Sequence, residues 1–368
     1  MSRLFALIIK EFLSLLKDPK SRFVIIGPPI IQLLVFGYAA SFDLTDVPLA
    51  VYDESNTSLS RELVTRFTGS PNFQKVATIT QQAEIAQLID QKKVILVLHI
   101  GQQFNRDLVQ KGTTDVQVIV DGRDSNTAMI ANGYAQTIIQ NFSLLWARRQ
   151  GQSGPPATLQ VRAWFNPNLV SRWFIVPGIV GLLTLVVTMI VTALSVARER
   201  EQGTFDQLLV TPYQPWQILI GKAVPGFIIG MVEATFIILV AVFWFQVPLL
   251  GNILTLYFGI SLFLLSAIGV GLMISSLSVT QQQGLLGAFM FLVPAIILSG
   301  FSTPIANMSP LIQKMTYINP MRYFMVILRG VFLEGTPFHL LIDQFIPLII
   351  IAIITLSSAS WLFRRRMY

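Results

Sequence analysis

The run WFIVPGIVGLLTLVVTMIVTALSV, residues 173–196, holds no charged side chain and ends abruptly in Arg198-Glu199-Arg200-Glu201. As a helix rising 1.5 Å per residue it reaches about 36 Å, enough for a hydrocarbon core of about 30 Å. A soluble core does not need so long an uncharged run, and the chain has five more of the kind. They are Phe23–Phe42, Ala223–Phe245, Ile253–Leu277, Gly284–Phe301 and Phe345–Phe363, and only Ala223–Phe245 contains a charge, Glu233. Composition agrees: 12% of the 368 residues are charged and 53% are apolar, against roughly 25% charged in an ordinary soluble domain. The expected fold class is an α-helical polytopic membrane protein with six transmembrane helices and an extracytoplasmic α/β domain inserted between helices 1 and 2.

Residues 1–22 precede the first span. Arg3, Lys10 and Lys17 recur on one side of a helix opposite Leu4, Ile8, Phe12 and Leu15, the pattern of an amphipathic helix lying in the membrane interface. The apolar run 23–42 exceeds the h-region of a signal peptide, so it reads as an uncleaved anchor, with Pro28 and Pro29 expected in its first turns. Residues 43–172 change character and carry 12 of the 26 basic and 11 of the 19 acidic residues. Alternating β-like and helix-like runs there predict a compact α/β domain. In its turn Asp121-Gly122-Arg123-Asp124, a helix N-cap is favoured over a cation site. Residues 173–368 form the five-helix remainder, with an inner connection at 197–222 and an outer segment at 302–344. Within the latter, Tyr323–Leu333 is too short to cross and is interrupted by Arg329, so it reads as re-entrant or interfacial.

Charge sets the orientation. With the N-terminus inside, the inner segments hold eleven basic residues, Arg3, Lys10, Lys17, Lys20, Arg22, Arg198, Arg200, Lys222 and Arg364–Arg366, against Lys314, Arg322 and Arg329 outside. Both termini are therefore expected in the cytoplasm and 43–172 outside. The net charge of +7 follows from this placement, and no clustered basic face suggests nucleic acid. With no cysteine and two distant histidines, His99 and His339, neither a disulfide framework nor a metal cluster is expected.

Three features bear on function. In the inner connection, Gly203 breaks the charged helix, and Thr204 with Gln207 has the spacing of a capping box. The result is either a knob that docks a partner or a capped loop whose charges hold a helix end in water. Glu233, alone in its span, is either an ion or substrate contact or a carboxyl neutralised by a proton or a neighbouring helix. Gly269, Gly271, Ser275, Ser276 and Ser278 are small enough for close helix packing. No phosphate loop occurs, since Gly221-Lys222 is followed by Ala223, and no catalytic triad, carboxylate pair or zinc motif stands out. An enzyme is not expected.

Several segments in order carry a family resemblance. They are Lys10-Glu11-Phe12, Phe165-Asn166-Pro167-Asn168, the Ala197–Thr204 run with Leu208-Leu209-Val210, Gly221-Lys222, Ser299-Gly300, and Ile318-Asn319-Pro320 with Arg322-Tyr323-Phe324 and Arg329-Gly330. Over its whole length the chain resembles permease subunits of type-2 ABC exporters, particularly the YbhR/YhhJ-like members of Gram-negative inner membranes. The resemblance implies a half-transporter paired with a second permease chain, itself or a paralogue, and with separate ABC ATPase subunits that carry the ATP and Mg; this chain would hold no cofactor. Arg198, Glu199, Arg200, Glu201, Gly203, Thr204 and Gln207 would couple to the ATPase. Pro320, Arg322 and Arg329 would belong to the outer re-entrant segment. A periplasmic adaptor and outer-membrane channel would meet the outer domain, membrane lipid would surround the spans, and drugs or other amphiphiles would be exported by alternating access. The rival readings are an ion-coupled carrier built on Glu233 and a receptor or scaffold with a periplasmic ligand-binding domain.

Overall fold

The computed structural model describes residues 3–39, 44–151, 165–166, 170–205 and 213–366. The chain divides into two compact units, Phe42–Arg162 and a helical unit of Met1–Ser41 with Ala163–Tyr368.

The smaller unit is an α/β fold. Its elements run β1 (Val47–Asp53), α3 (Ser58–Thr68), β2 (Phe73–Thr78), α4 (Ala83–Asp90), β3 (Leu96–Ile100), α5 (Phe104–Lys111), β4 (Gln117–Val120) and α6 (Ser125–Arg149). The sheet order is β2-β1-β3-β4, with β1 parallel to β2 and β3, and β4 antiparallel to β3. Residues alternate across the strands, as the two-residue period requires. Val47, Leu49, Val51, Leu96 and Leu98 join Leu63, Phe67 and Phe104 in one core, while Ala50 and Val97 pack with Ile85 in another. Asp124 caps α6 by accepting from the Thr127 backbone N–H at 3.2 Å. In the preceding turn Arg123 pairs with Asp121 at 2.7 Å and lowers its carboxyl to about 2. The turn is thus built as a helix start.

In the helical unit, α1 (Arg3–Lys17) and α2 (Pro19–Ala39) precede the inserted unit, and α7 (Ser171–Glu201), α8 (Pro215–Leu239), α9 (Ile253–Leu277), α10 (Gln281–Ile297), α11 (Pro310–Met315), α12 (Pro320–Arg329) and α13 (Ile342–Arg366) follow it. Among the described residues, four helices are long and apolar enough to cross a membrane: Ser171–Glu201, Pro215–Trp244, Ile253–Leu277 and Phe338–Arg365. Two shorter apolar stretches, Ile25–Tyr38 and Gln281–Ile297, lie in α2 and α10. The prolines of α2 differ from expectation. The helix begins at Pro19, so Pro28 and Pro29 are interior and remove backbone donors well past the first turn, which membrane helices tolerate.

The uncharged run 173–196 lies in the central helix. α7 packs against α2, α8, α9, α10 and α12, and 78% of its apolar window is buried, against 22% of that in the peripheral α13. Small residues permit the closest approaches. A Cβ on Gly271 would strike Thr192 of α7, and one on Gly269 would strike Thr355 of α13, so the small stripe of α9 serves packing.

The short helix α12 is buried. Asn319 caps it by accepting from the Met321 backbone N–H at 3.1 Å and donates to the Ala295 carbonyl of α10 at 2.7 Å. Phe324 stacks on Phe263 with ring centroids 4.2 Å apart. Its ten residues reach about 15 Å, half a bilayer. A π-helical turn, Gly330–Glu334, and a left-handed Gly335 then end the segment.

Candidate functional site

The last turn of α7 is the most charged stretch of the helical unit, and its geometry follows from helix arithmetic. Consecutive residues point about 100° apart, so Arg198, Glu199, Arg200 and Glu201 project in four directions. Each reaches a different neighbour. Arg198 lies 3.8 Å from Asp18, at the α1–α2 junction. Glu199 lies 2.6 Å from the Lys10 ammonium of α1 and 2.5 Å from the Lys222 ammonium of α8. Arg200 donates to the carbonyls of Ser276 and Ser278, at 2.8 and 3.1 Å, at the C-terminal end of α9. Glu201 accepts from the Gln281 backbone N–H at 2.7 Å, at the N-terminal end of α10. The last two contacts match charge to helix dipole: a cation meets free carbonyls and an anion meets free N–H groups.

The centre of the cluster is buried. Lys222 is 3% exposed, and Glu11 and Glu199 are each 7% exposed. Glu11 lies 3.1 Å from Lys10 and 3.5 Å from Lys222, so two acids and two lysines form one network across α1, α7 and α8. Gly221 allows it, because a Cβ there would fall 2.6 Å from Leu7 of α1. Charges this deep are stable only when each finds an opposite partner, and removal of one leaves the others uncompensated. A cavity of about 430 Å³ opens beside the network, lined by Lys10, Ser14, Arg198, Gln202, Thr204 and Tyr213 among others.

Past the cluster, α7 stops as the sequence suggests. Gly203 has φ +68°, the left-handed conformation that closes a helix end, and the Thr204 N–H bonds back to the Glu199 carbonyl at 2.9 Å. Gln207, the other half of the expected capping box, lies outside the described residues. Glu11, Lys10 and Lys222 were not among the candidate residues from sequence. The signals for them were the Lys10-Glu11 pair beside an apolar helix face and a lysine at the mouth of an otherwise apolar span.

The remaining candidates lie elsewhere in the helical unit. Arg329 stacks on Phe174 at 4.1 Å from the ring centroid and donates to the Gly300 carbonyl at 3.3 Å. Arg322 covers the Tyr317 ring at 4.2 Å and bonds the Thr316 hydroxyl. Pro320 occupies the first turn of α12, where its missing N–H costs little. Glu233 is buried in α8 with neither carboxylate oxygen hydrogen-bonded. Among the described residues, no group of three or more His, Cys, Asp or Glu could hold a metal ion.

The chain matches the ABC-2 family transporter protein over residues 20–361. It is 42% identical to the probable multidrug ABC transporter permease YbhR of Escherichia coli strain K12, over 99% of both chains. It is 34% identical to the probable multidrug ABC transporter permease YbhS of the same strain, over 99% of this chain and 97% of the relative. To the inner membrane transport permease YhhJ of that strain it is 28% identical, over 99% and 98%. A family match over nearly the whole length, on a bundle of membrane-length helices, shows that the chain belongs to the ABC-2 family of transporter permeases.

Proposed function

We propose that the chain is the membrane-spanning subunit of an ATP-driven exporter whose nucleotide chemistry, with ATP and Mg, resides on a separate ABC ATPase. In this reading the chain crosses the inner membrane six times, with α2 and α10 as the shorter spans, both termini in the cytoplasm and the α/β unit outside. The basic residues collected at one end of the bundle support that orientation. A second permease chain, identical or paralogous, would complete the pathway, and the α/β unit would meet an adaptor leading to an outer-membrane channel. The relatives named as probable multidrug permeases support drugs or other amphiphiles as cargo.

The observation that carries the coupling role is the charged last turn of α7. Its four side chains are engaged with α1, α8, α9 and α10, so a push on the 197–222 connection reaches four helices through ion pairs and caps rather than through a flexible loop. Arg198 to Glu201 therefore act as the transmission, and the exposed turn around Gly203 and Thr204 is the surface offered to the ATPase. Alternating access then follows from two arrangements of the same packed bundle.

The test is purification of the full chain with its native partners. An ATPase should co-purify, and deletion of residues 203–207 should leave the chain folded while abolishing ATP-dependent transport. An ATPase-free preparation that transports on an ion gradient alone would replace this reading with the carrier.

A further inference from the structure

The helical unit buries an acid that the charged cluster does not use. Glu233 lies mid-helix in α8, is 7% exposed, and has both carboxylate oxygens buried without a hydrogen-bond partner. It lines a groove of about 420 Å³ between α1, α2 and α8 whose other walls are apolar, including Phe12, Leu16, Ile26, Ile30, Val232 and Phe236. Among the described residues, no basic side chain lines this groove. Its size is that of an ordinary small-ligand site, roughly 300–1,000 Å³.

The nearest polar atoms of α7 are threonine hydroxyls, which can donate as well as accept. A Cβ on Gly226 would fall 2.7 Å from Thr192, and one on Gly230 would fall 2.6 Å from the Thr188 hydroxyl. These pairs make α7 and α8 antiparallel in close contact, and one further turn carries Thr184 to the level of residues 233–234. The Thr184 and Thr188 hydroxyl oxygens are likewise buried without a partner. The two hydroxyls lie near the depth of the carboxylate, but neither hydrogen-bonds it and neither threonine lines the groove.

An unpaired buried carboxylate is costly and calls for a donor. Water is a poor answer in a groove with apolar walls, because an ordered water needs several polar partners. Among the described residues, lysine and arginine are absent from the lining, and the threonine hydroxyls do not reach the carboxylate. What remains is a cation brought by a ligand whose body suits those walls. Ile26, Ile30, Val232 and Phe236 are all substantially exposed on the outer surface of the unit, so the groove is open to lipid from the side.

We propose that this groove binds a protonated amphiphilic primary amine. The alkyl chain lies against α1, α2 and α8, and the ammonium group donates to Glu233, whose terminal torsion is soft enough to turn the carboxylate toward it. This site belongs to the isolated chain and does not depend on the exporter reading.

The experiment uses the purified full chain in phosphatidylcholine nanodiscs and a dodecylamine carrying a diazirine in its alkyl chain. Adducts mapped by mass spectrometry should fall on residues 12–16, 25–30 and 228–236. Excess dodecylamine should displace the label, and the neutral isostere dodecanol should not. Glu233→Gln should lower labelling about tenfold, the loss expected for one charge-assisted hydrogen bond, while Glu233→Asp retains most of it. Val232→Trp, which fills the groove and leaves the acid in place, should exclude the label and guards against misfolding of the first variant. Labelling unchanged by Glu233→Gln or by Val232→Trp would overturn the proposal. So would displacement by dodecanol equal to that by the amine, or adducts spread evenly over the exposed faces of α10 and α13.

Discussion

Glu199 and Glu233 are carboxylates of the same helical unit, equally withdrawn from solvent, in opposite circumstances. Glu199 ends α7 among two lysines, within 2.6 Å of each. Glu233 sits in the middle of α8 with no protein hydrogen-bond partner for either oxygen. Burial alone therefore says little about what an acid does. At the foot of the bundle the charge is a fastener: it ties three helices and its removal should loosen them. In the groove the charge fastens nothing within the chain, which marks it as the group to explain by a ligand rather than by stability.

The largest expected effect comes from breaking the fastened side. Lys222→Met leaves Glu11 and Glu199 with only the half-exposed Lys10, and should destabilise the chain by about 3–5 kcal/mol, the usual cost of orphaning a buried charge. Thermal melting of the solubilised protein reads this directly, and a wild-type melting temperature would dissolve the contrast. Arg200→Ala is smaller. It removes charged donors from the end of α9, worth about 1.5–3 kcal/mol for bonds to a charged group, discounted because the site is only partly buried. The same melting series ranks it below Lys222→Met, and equal losses would mean that the four contacts of the last turn fail as one unit.

The smallest effect belongs to the other acid. Glu233→Gln removes a charge that no protein group compensates, so the ligand-free chain should melt at or slightly above the wild-type temperature. A loss as large as that of Lys222→Met would show that Glu233 has an internal partner after all, and the two acids would then belong to one class.

Much of this contrast was legible in the sequence. Glu233 stands out as the lone charge in a long apolar span, and Arg198 to Glu201 stand out as four charges at the end of another. Gly203 as a helix stop was equally readable, because a left-handed residue is needed where a helix closes. The pairing of these charges was not. Glu199 meets Lys10 and Lys222 across 189 and 23 positions, separations at which local pattern carries no information. For the same reason Lys10 and Lys222 entered the sequence argument through orientation, helix patterning and the family resemblance, and not as partners of Glu199. The run 198–201 read as part of either a docking knob or a capped loop, and its side chains reach four helices of their own chain, which local pattern did not reveal.

Helix lengths divide in the same way. The long apolar runs were fixed by composition, since a charge-free stretch of that length has one solvent in which it is stable. The start of α2 at Pro19, with Pro28 and Pro29 inside it, depended on the continuation of the chain from α1 and not on the apolar run itself. Sequence by itself determined that this is a membrane protein, where its charges cluster, and that one acid lies inside a span, because those are properties of single segments against their solvent. Only tertiary structure decided which buried charges are mutual partners and which one is left over, because ion pairing is short-ranged and depends on which helices the fold brings within a few ångströms.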